Sequence, residues 1–231
     1  MLIIKQLVKS YSADQQAITV LDLPHLAIDP KQKVALVGPS GCGKSTLLNI
    51  IAGIVRPTSG EVNVLGTDIL GLSETKMDTY RARNIGYVFQ NFNLLPGFTA
   101  LENILIAMRF AATIPAGNRK KRAIELLERA GLHHRLHINA SRLSQGEQQR
   151  VAIARAIANK PSIVLADEPT ANLDRHNAAM AVSMLKEMCR TQQTTLIVST
   201  HDMELAGQMD AIVNLREMKP DKPEVVCNVS A

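Results

Sequence analysis

The sequence predicts an α/β fold with a mostly parallel sheet, a β-rich N-terminal part and an inserted helical segment. From residue 162 onward, short apolar runs alternate with helical patterns, whereas residues from about 91 to 157 contain helical patterns alone. A glycine-rich loop, Gly38–Thr46, joins an apolar run to a helical pattern. Strands that alternate with helices form parallel sheets covered on both faces, so these observations favour one α/β core interrupted by helices.

The N-terminal part alternates short apolar runs with polar residues. Residues 1–36 contain several such runs, punctuated by Pro24 and Pro30, which predicts two or three strands and a polar loop near Ser12–Gln16. The next elements are a strand over Lys33–Val37, a helix over Ser45–Ala52 capped by Gly53, and strands over Glu61–Leu65 and Ile85–Phe89.

Two helices are predicted early in the inserted segment, over Leu101–Ala112 and Lys120–Ala130. In the second, apolar residues recur at helical spacing and Gly131 ends the helix. The tail from Arg216 carries Pro220 and Pro223 and is too short for another domain. Before it, the alternating elements are strands over Ser162–Ala166, Thr194–Ser199 and Ala211–Leu215 and helices over Arg175–Thr191 and Asp202–Gly207.

The composition is that of an ordinary globular protein. Of 231 residues, 46% are hydrophobic and 20% are charged, which argues against a disordered, collagen-like or disulfide-scaffold chain. The longest near-apolar stretch, Ile50–Val55, is far shorter than the roughly 18–20 residues of a membrane-spanning helix. The N-terminus lacks a basic leader and an apolar signal region. We therefore expect a chain that works in the cytosol or reaches a membrane through a partner.

Cysteine content and charge narrow the function classes. Cys42, Cys189 and Cys227 are widely spaced without a CxxC pair, which fits a reducing compartment and offers no metal framework. The net charge of +5 is small for this length. With three Tyr, four Phe and no Trp, the chain lacks the aromatic residues of a base-stacking surface, and we expect no nucleic-acid partner.

The strongest motif is the loop Gly38-Pro39-Ser40-Gly41-Cys42-Gly43-Lys44-Ser45-Thr46, which fits G-x4-G-K-[ST]. Its glycines let the backbone approach a phosphate, and the following helix N-terminus directs N–H groups at anionic oxygens. Lys44 supplies a positive charge at the β- and γ-phosphates, and Ser45 a hydroxyl for Mg²⁺. The pattern predicts a P-loop nucleoside triphosphatase rather than a glycine-rich turn without a ligand.

A pair of carboxylates forms the second motif. The apolar run Ile163–Ala166 ends in Asp167 and Glu168, and ligands bind at the carboxyl edge of a parallel sheet. Asp167 suits a magnesium ligand, and Glu168 suits a general base that polarises the attacking water. Acidic residues at a strand end can also cap the next helix, so the catalytic interpretation depends on the phosphate loop.

Ser144-Gln145-Gly146-Glu147 precedes a long helical pattern, with Ser144 as the expected N-cap and Glu147 completing a capping box. The same helix N-terminus can bind the γ-phosphate of a nucleotide. With this motif, the chain closely resembles the nucleotide-binding subunit of ATP-binding-cassette (ABC) transporters from about Leu2 to Met218. The resemblance implies one domain over 1–231, with 1–90 and 158–231 as a catalytic core that includes an antiparallel N-terminal β part, and 91–157 as a helical subdomain.

The resemblance implies a role for each motif. Gly38–Thr46 resembles the Walker A loop, and Ile163–Asp167 resembles the Walker B strand with Glu168 as catalytic base. Ser144–Gly146 resembles the signature motif, which faces the ATP on the opposite subunit, so one active site needs two chains. The resemblance also implies roles for four single residues. In the family pattern, Gln90 contacts Mg²⁺ or water and senses the membrane partner, and His201 binds the γ-phosphate. Asp174 crosses the dimer interface, and Tyr11 stacks on adenine.

Two departures from the family pattern concern the signature motif. The usual second glycine is Gln145, and the usual closing glutamine is Glu147. Ala140 stands near the place of a common proline. A Cβ at position 145 changes the contact with the γ-phosphate across the dimer, but we expect hydrolysis to survive.

The segment Asn84–Asn103 is similar to the subfamily that serves lipoprotein release, macrolide efflux and related four-helix permeases with large extracytoplasmic domains. ATPase subunits of amino-acid importers share much of this motif set and remain the alternative. Phe89, Phe92 and Phe98 form either a core of the helical segment or a groove for a short coupling helix of the permease. The resemblance implies a homodimer or heterodimer on the cytoplasmic face of the inner membrane, bound to its permease near Gln90–Phe98.

Three weaker features have competing interpretations. Tyr11 is otherwise a half-buried strand residue. His133, His134 and His137 indicate a polar corner more than a metal site. Arg119–Arg122 is expected to be a solvated face, with contact to an anionic membrane leaflet as the alternative.

Two other classes compete with a transport ATPase. A soluble ABC ATPase of DNA repair or translation carries a long coiled-coil insert or two cassettes, whereas only about 100 residues separate Lys44 from Ser144. A P-loop kinase would not explain the signature-like motif or His201. We therefore expect hydrolysis of ATP-Mg²⁺ coupled to transport, with Lys44, Gln90, Glu168 and His201 as catalytic residues and Ser45, Gln90 and Asp167 as Mg²⁺ ligands.

Overall fold

The computed structural model describes residues 1–13 and 16–217. The chain divides into two compact units, the first formed by residues 1–77 and the chain from Ile197 onward, the second by Asp78–Leu196. Cys227, Pro220 and Pro223 lie outside the described residues, as does the centre of the loop predicted near Ser12–Gln16. None of the helices in the described ranges combines the length and apolar character needed to cross a bilayer. The domain division at residues 90 and 157 stays a prediction.

Long N-terminal strands form an antiparallel sheet in the first unit. Leu2, Ile4 and Leu7 are buried, so the inward positions of the first strand change from even to odd numbers after Ile4. Gln6 has a φ of 47°, an irregularity that accounts for this change. β1 (Leu2–Ala13) pairs antiparallel with β2 (Gln16–Ile28) and β4 (Ser59–Val64), and β5 (Thr67–Asp68) extends the edge beyond β4.

The apolar run at 33–37 forms β3 (Lys33–Val37), which pairs in parallel with β9 (Ala211–Asn214). On its other side β3 neighbours β8 (Thr195–Thr200), the strand in which the chain passes from the second unit into the first. The helix α1 (Lys44–Ile51) follows β3, and α7 (Met203–Ala206) follows β8. The predicted elements of this part are confirmed, with bounds shifted by one or two residues.

The second unit combines two parallel strands with packed helices. β6 (Ile85–Val88) pairs in parallel with β7 (Ile163–Asp167). Between these strands in sequence lie α3 (Ala100–Ala111), α4 (Ala116–Arg129), 3₁₀ turns at His133–Arg135 and Ala140–Arg142, and α5 (Gln145–Ile157), and α6 (Arg175–Gln192) follows β7. Because α5 packs against α3, α6 and β6, most of its residues are buried.

The helix α2 (Glu74–Asn84) is absent from the sequence-based expectations. It buries only Met77, because its other residues are largely polar and give no apolar periodicity. The expectation that Arg119–Arg122 is solvated is wrong for Arg122. Its guanidinium donates to the carbonyl oxygens of Ala158 and Ile157 at 2.6 and 3.2 Å, which attaches α4 to the end of α5.

The close approach of β6 and α5 yields a stability prediction. A Cβ at Gly86 would overlap the carbonyl oxygen of Ala156, so Gly86→Ala should lower the free energy of unfolding by about 1–3 kcal/mol. Denaturant unfolding followed by circular dichroism measures this change. In the first turn of α4, a Cβ at Gly117 meets nothing within 4 Å, so the control Gly117→Ala should raise stability by about 0.5–1 kcal/mol. Equal stability of Gly86→Ala and wild type would contradict the tight packing.

Candidate functional site

The phosphate loop predicted at Gly38–Thr46 joins β3 to α1 in the first unit. Gly43, directly before α1, has a φ of 94°, and a Cβ there would lie 2.8 Å from the carbonyl oxygen of Val20. Gly38 has a φ of 152°, and a Cβ there would lie 2.6 Å from the Cys42 sulfur. Since other residues rarely adopt these angles and the space is already filled, this loop conformation depends on glycine at both positions.

Lys44 is the first residue of α1 and is only 7% exposed. Its Nζ donates to the carbonyl oxygens of Gly38 and Pro39 at 2.8 and 3.2 Å, which places the ammonium inside the curve of the loop. Among the described residues, no side chain caps the helix at Gly43, and its first turn contains no acidic residue. Ammonium, loop backbone and helix N-terminus together favour an anionic ligand such as a phosphate group.

Tyr11 and His201 belong to the same unit as the loop. Tyr11 lies on β1 and is 44% exposed, with the Lys9 ammonium 4.6 Å from its ring centroid. His201 follows β8, the neighbour of β3, and is exposed. Both rings are therefore accessible at the surface, although more than half of Tyr11 is covered.

Asp167 ends β7 and Glu168 follows it in the second unit. Asp167 is 8% exposed, and half-buried Glu168 has a φ of 43°. This left-handed conformation is unfavourable for a residue other than glycine and persists only where surrounding contacts fix it. One such contact is the hydrogen bond from the Ala171 N–H to the Glu168 carbonyl oxygen at 3.2 Å. Burial, and next the charge of Asp167, raise the pKa of the Tyr87 hydroxyl on β6.

Gln90 lies two residues beyond β6, at the same edge as the two carboxylates. In the parallel register Val88 is opposite Ala166, so Gln90 and Glu168 follow paired positions. The side-chain amide of Asn172 donates to the Gln90 carbonyl oxygen at 3.0 Å, which connects the segment after β6 to the segment after β7. The structure therefore brings Gln90, Asp167 and Glu168 to one edge of the second unit.

The capping box predicted at the start of α5 is confirmed. Ser144 Oγ accepts from the Glu147 N–H at 3.3 Å, and Glu147 Oε2 accepts from the Ser144 N–H at 2.8 Å. Within the same helix, the buried side chain of Gln149 donates to the Pro169 carbonyl oxygen at 2.6 Å. The helix that begins at the signature-like motif is thereby attached to the turn that carries Glu168.

Glu147, which stands where the family usually has glutamine, has a specific partner. Its Oε1 accepts from Arg135 Nε at 2.9 Å, while Oε2 caps Ser144. Burial acts to raise the pKa of the Glu147 carboxyl, but the hydrogen bonds from Ser144 and Arg135 outweigh burial and lower that pKa below its ordinary value. The ionised carboxylate therefore connects a 3₁₀ turn to the N-terminus of α5. Gln145, the other departure, is exposed at the same helix end.

Asp174 is the N-cap of α6. Its carboxylate accepts from the N–H and the side-chain amide of Asn177 at 2.9 and 2.6 Å, and these bonds lower the pKa of Asp174. The amide of Asn177 also lies against Gly146, where a Cβ would overlap it, and its Oδ1 accepts from Arg150 at 3.4 Å. Asn177 therefore lies between the Asp174 turn and the signature-like motif.

The predicted site residues are divided between the two units. Several residues outside the predictions take part in the hydrogen bonds around them, among them Asn103, Arg135, Gln149, Arg155, Asn172 and Asn177. Single polar residues in helical patterns carry no sequence signal for such contacts, although Asn103 interrupts an apolar helix face. The first unit contains Tyr11, Gly38–Thr46 and His201, and the second contains Gln90, Ser144–Gly146, Asp167, Glu168 and Asp174.

The chain is similar to known proteins over most of its length. A family model described as ABC transporter matches residues 21–171. The lipoprotein-releasing system ATP-binding protein LolD of Pseudomonas fluorescens is 44% identical over 213 residues, covering 92% of this chain and 93% of that protein. LolD of Hydrogenovibrio crunogenus is 47% identical over 186 residues, or 80% of each protein. The solved dimeric ATP-binding cassette MJ0796, in a post-hydrolysis state with ADP and phosphate, is 38% identical with a TM-score of 0.86, covering 93% of this chain and 94% of that chain.

The ion pair of Glu147 predicts a pH-dependent change in stability. Glu147→Gln keeps a cap on Ser144 but removes the charge opposite Arg135. Because folding lowers the pKa of Glu147 from its ordinary 4.5, the ionised group stabilises the fold above that pH, and the contribution disappears as the pH falls through the folded-state pKa. At pH 7 the variant should be about 1 kcal/mol less stable than wild type, with no such difference in strong acid.

Denaturant unfolding at both pH values measures the effect of Glu147→Gln. The control is Glu61→Gln, because the pair between Glu61 and Lys5 is 3.8 Å long and both side chains are more than half exposed. This control should change stability by less than about 0.5 kcal/mol. A stability loss in Glu147→Gln that does not depend on pH would show that the charge is not its cause.

Proposed function

The chain belongs to the ABC transporter family as an ATP-hydrolysing subunit that works in a dimer with a membrane permease, and we propose that this permease serves lipoprotein release. The observation that carries this proposal is the match to LolD proteins along nearly the whole chain, beyond the nucleotide-binding motifs alone. The subunit then works at the cytoplasmic face of the inner membrane and is peripheral to it, attached through the permease.

The nucleotide-binding roles follow from the local chemistry. Gly38–Thr46 binds the phosphates of ATP, and Lys44 directs its ammonium at the β- and γ-phosphates. Tyr11 offers an exposed ring for stacking on adenine. A Mg²⁺ ion prefers oxygen ligands, and Ser45, Gln90 and Asp167 supply a hydroxyl, an amide oxygen and a carboxylate. When bound, this ion neutralises charge on the phosphates.

Hydrolysis requires a positioned water and a second chain. Glu168 polarises the attacking water, and its fixed left-handed backbone limits the positions that its carboxylate can take. His201 donates to the γ-phosphate. Ser144–Gly146 of one chain faces the γ-phosphate bound to the other, with Gln145 exposed at the α5 N-terminus, and Asp174 contributes to the dimer interface.

An exposed apolar surface beyond Gln90 supports a permease contact within Gln90–Phe98. The backbone around this surface is fixed by Asn103, which is 2% exposed: its Oδ1 accepts from the Leu95 N–H at 2.8 Å, and its Nδ2 donates to the Leu95 carbonyl oxygen at 3.2 Å. Leu95 and Phe98 are 42% and 44% exposed, whereas Phe92 is buried in the core. Two apolar side chains on a fixed backbone suit an apolar helix of the permease.

The catalytic role of Glu168 is tested by Glu168→Gln, which retains size and polarity but cannot act as a base. Phosphate release should slow about 10²–10⁴-fold, or roughly 3–5 kcal/mol of barrier. ATP binding should persist, and the variant should accumulate as an ATP-bound dimer. Phosphate release, ATP titration and size-exclusion chromatography with ATP measure the three outcomes.

The control for this experiment is Glu187→Gln, which alters an exposed glutamate on α6 and should retain the wild-type rate. Near-normal phosphate release by Glu168→Gln would remove Glu168 from the role of base. Monomers that hydrolyse ATP at the full rate when dilution prevents pairing would overturn the dimeric mechanism.

The permease contact is tested by Phe98→Ser in tagged protein purified from detergent-solubilised membranes. Because an exposed aromatic anchor can contribute about 2 kcal/mol to an interface, the amount of permease that copurifies should fall more than about tenfold. Phe110→Ser on α3 is the matched control, since Phe110 is 80% exposed and lies outside the proposed contact. Undiminished copurification with Phe98→Ser would place the contact elsewhere.

The copurified membrane protein also tests the transport class. A permease with four membrane spans and a large outer domain supports lipoprotein release. A permease of the amino-acid importer type would overturn that assignment while leaving the ATPase intact.

A further inference from the structure

Arg155, near the C-terminal end of α5, contacts the segment that follows Gln90. One terminal nitrogen of its guanidinium donates to the Phe92 carbonyl oxygen at 2.7 Å, and the other donates to the Asn93 carbonyl oxygen at 2.5 Å. Burial lowers the pKa of this guanidinium to about 10, which leaves it positively charged at neutral pH. A charged, planar donor thus binds two consecutive peptide groups.

The two peptide groups that Arg155 binds have an unfavourable conformation. Phe92 and Asn93 have φ angles of 59° and 46°, both in the left-handed region. Asparagine adopts this region more readily than most residues, whereas phenylalanine does so rarely, so the conformation at Phe92 depends on contacts that fix it. The Phe92 side chain is buried, so its packing and the guanidinium of Arg155 fix this turn from two sides.

The turn leads directly to the apolar surface formed by Leu95 and Phe98. Asn103 of α3 binds the backbone on the far side of the turn, and α3 packs against α5. The segment 91–99 is therefore attached to α5 at one end and to α3 at the other. The helix α5 spans thirteen residues, from Gln145 to Ile157. Its N-terminal end, opposite Arg155, begins at the signature-like motif.

We propose that Arg155 is a positioning residue that makes segment 91–99 follow the movement of α5, so that closure of Ser144–Gly146 on nucleotide is transmitted to Leu95 and Phe98. This inference rests on the proposed function for the identity of the moving parts. Arg155 contacts neither nucleotide nor permease in this scheme, and acts through the backbone of Phe92 and Asn93. A lysine at position 155 keeps the charge but cannot donate from two coplanar nitrogens to two carbonyl groups.

Arg122 provides a matched control for Arg155. It is also half-buried, burial also lowers its pKa, and its guanidinium also donates to two consecutive backbone carbonyls, those of Ile157 and Ala158. Those carbonyl groups lie at the C-terminal end of α5 and outside segment 91–99. If Arg155 only stabilised the fold, Arg155→Lys and Arg122→Lys would have similar effects.

The first experiment measures hydrogen exchange of the backbone amides of 92–98 in the purified subunit, with and without ATP, in a Glu168→Gln background. The change in exchange on adding ATP should shrink at least fivefold in Arg155→Lys and should persist in Arg122→Lys. The second experiment compares the ATPase rate of the permease-bound complex with that of the isolated subunit. This ratio should fall at least fivefold in Arg155→Lys, with Arg122→Lys near wild type.

An ATP-dependent exchange change in Arg155→Lys as large as in its Glu168→Gln parent would overturn the inference. Equal losses in both arginine variants, with equal falls in melting temperature, would also overturn it and leave a structural role only. If no membrane protein copurifies with the wild-type chain, the proposed function fails. The exchange experiment then decides alone whether Arg155 connects α5 to segment 91–99.

Discussion

Left-handed backbone conformations in the segments that follow the strands help to place the candidate site's side chains. Gly43 adopts one before α1, Glu168 adopts one directly after β7, and Phe92 with Asn93 adopts two after β6. Glycine does so at little cost and asparagine at a reduced cost, whereas Glu168 and Phe92 each lose roughly 1–2 kcal/mol that neighbouring contacts must offset. The hydrogen bonds that Arg155 donates to the turn after β6 are such contacts, and helix packing behind the turns thus maintains the site.

The helix α5 is the element through which the parts of the second unit are connected. Glu147 binds the 3₁₀ turn at His133–Arg135, Gln149 binds the segment after Glu168, and Arg155 binds the segment after Gln90. These contacts lie between positions 147 and 155 of one helix, so they are spread over about 12 Å of its axis. A shift of α5 as a rigid body therefore displaces all three segments together.

Patterns with fixed spacing predicted much of the fold and the candidate site. The loop ending at Lys44, the strand ending at Asp167 and the capping box at Ser144 each depend on residues close together in sequence, and the structure has each in its expected element. The helix α2 was missed because a polar helix has no apolar periodicity. The role of Arg155 was missed for another reason: its partners are backbone carbonyls 62 and 63 residues away, and any sequence supplies a carbonyl.

The two hydrogen bonds that Lys44 donates to its own loop affect which anions the loop prefers. An incoming anion must compete with two carbonyl dipoles for the same ammonium hydrogens. A monoanion offers little more than those carbonyls already provide, whereas adjacent polyanionic phosphates offer several charged oxygens at once. We therefore expect the folded loop to favour di- and triphosphates over inorganic monoanions such as chloride, because its own carbonyl groups compete for the Lys44 ammonium.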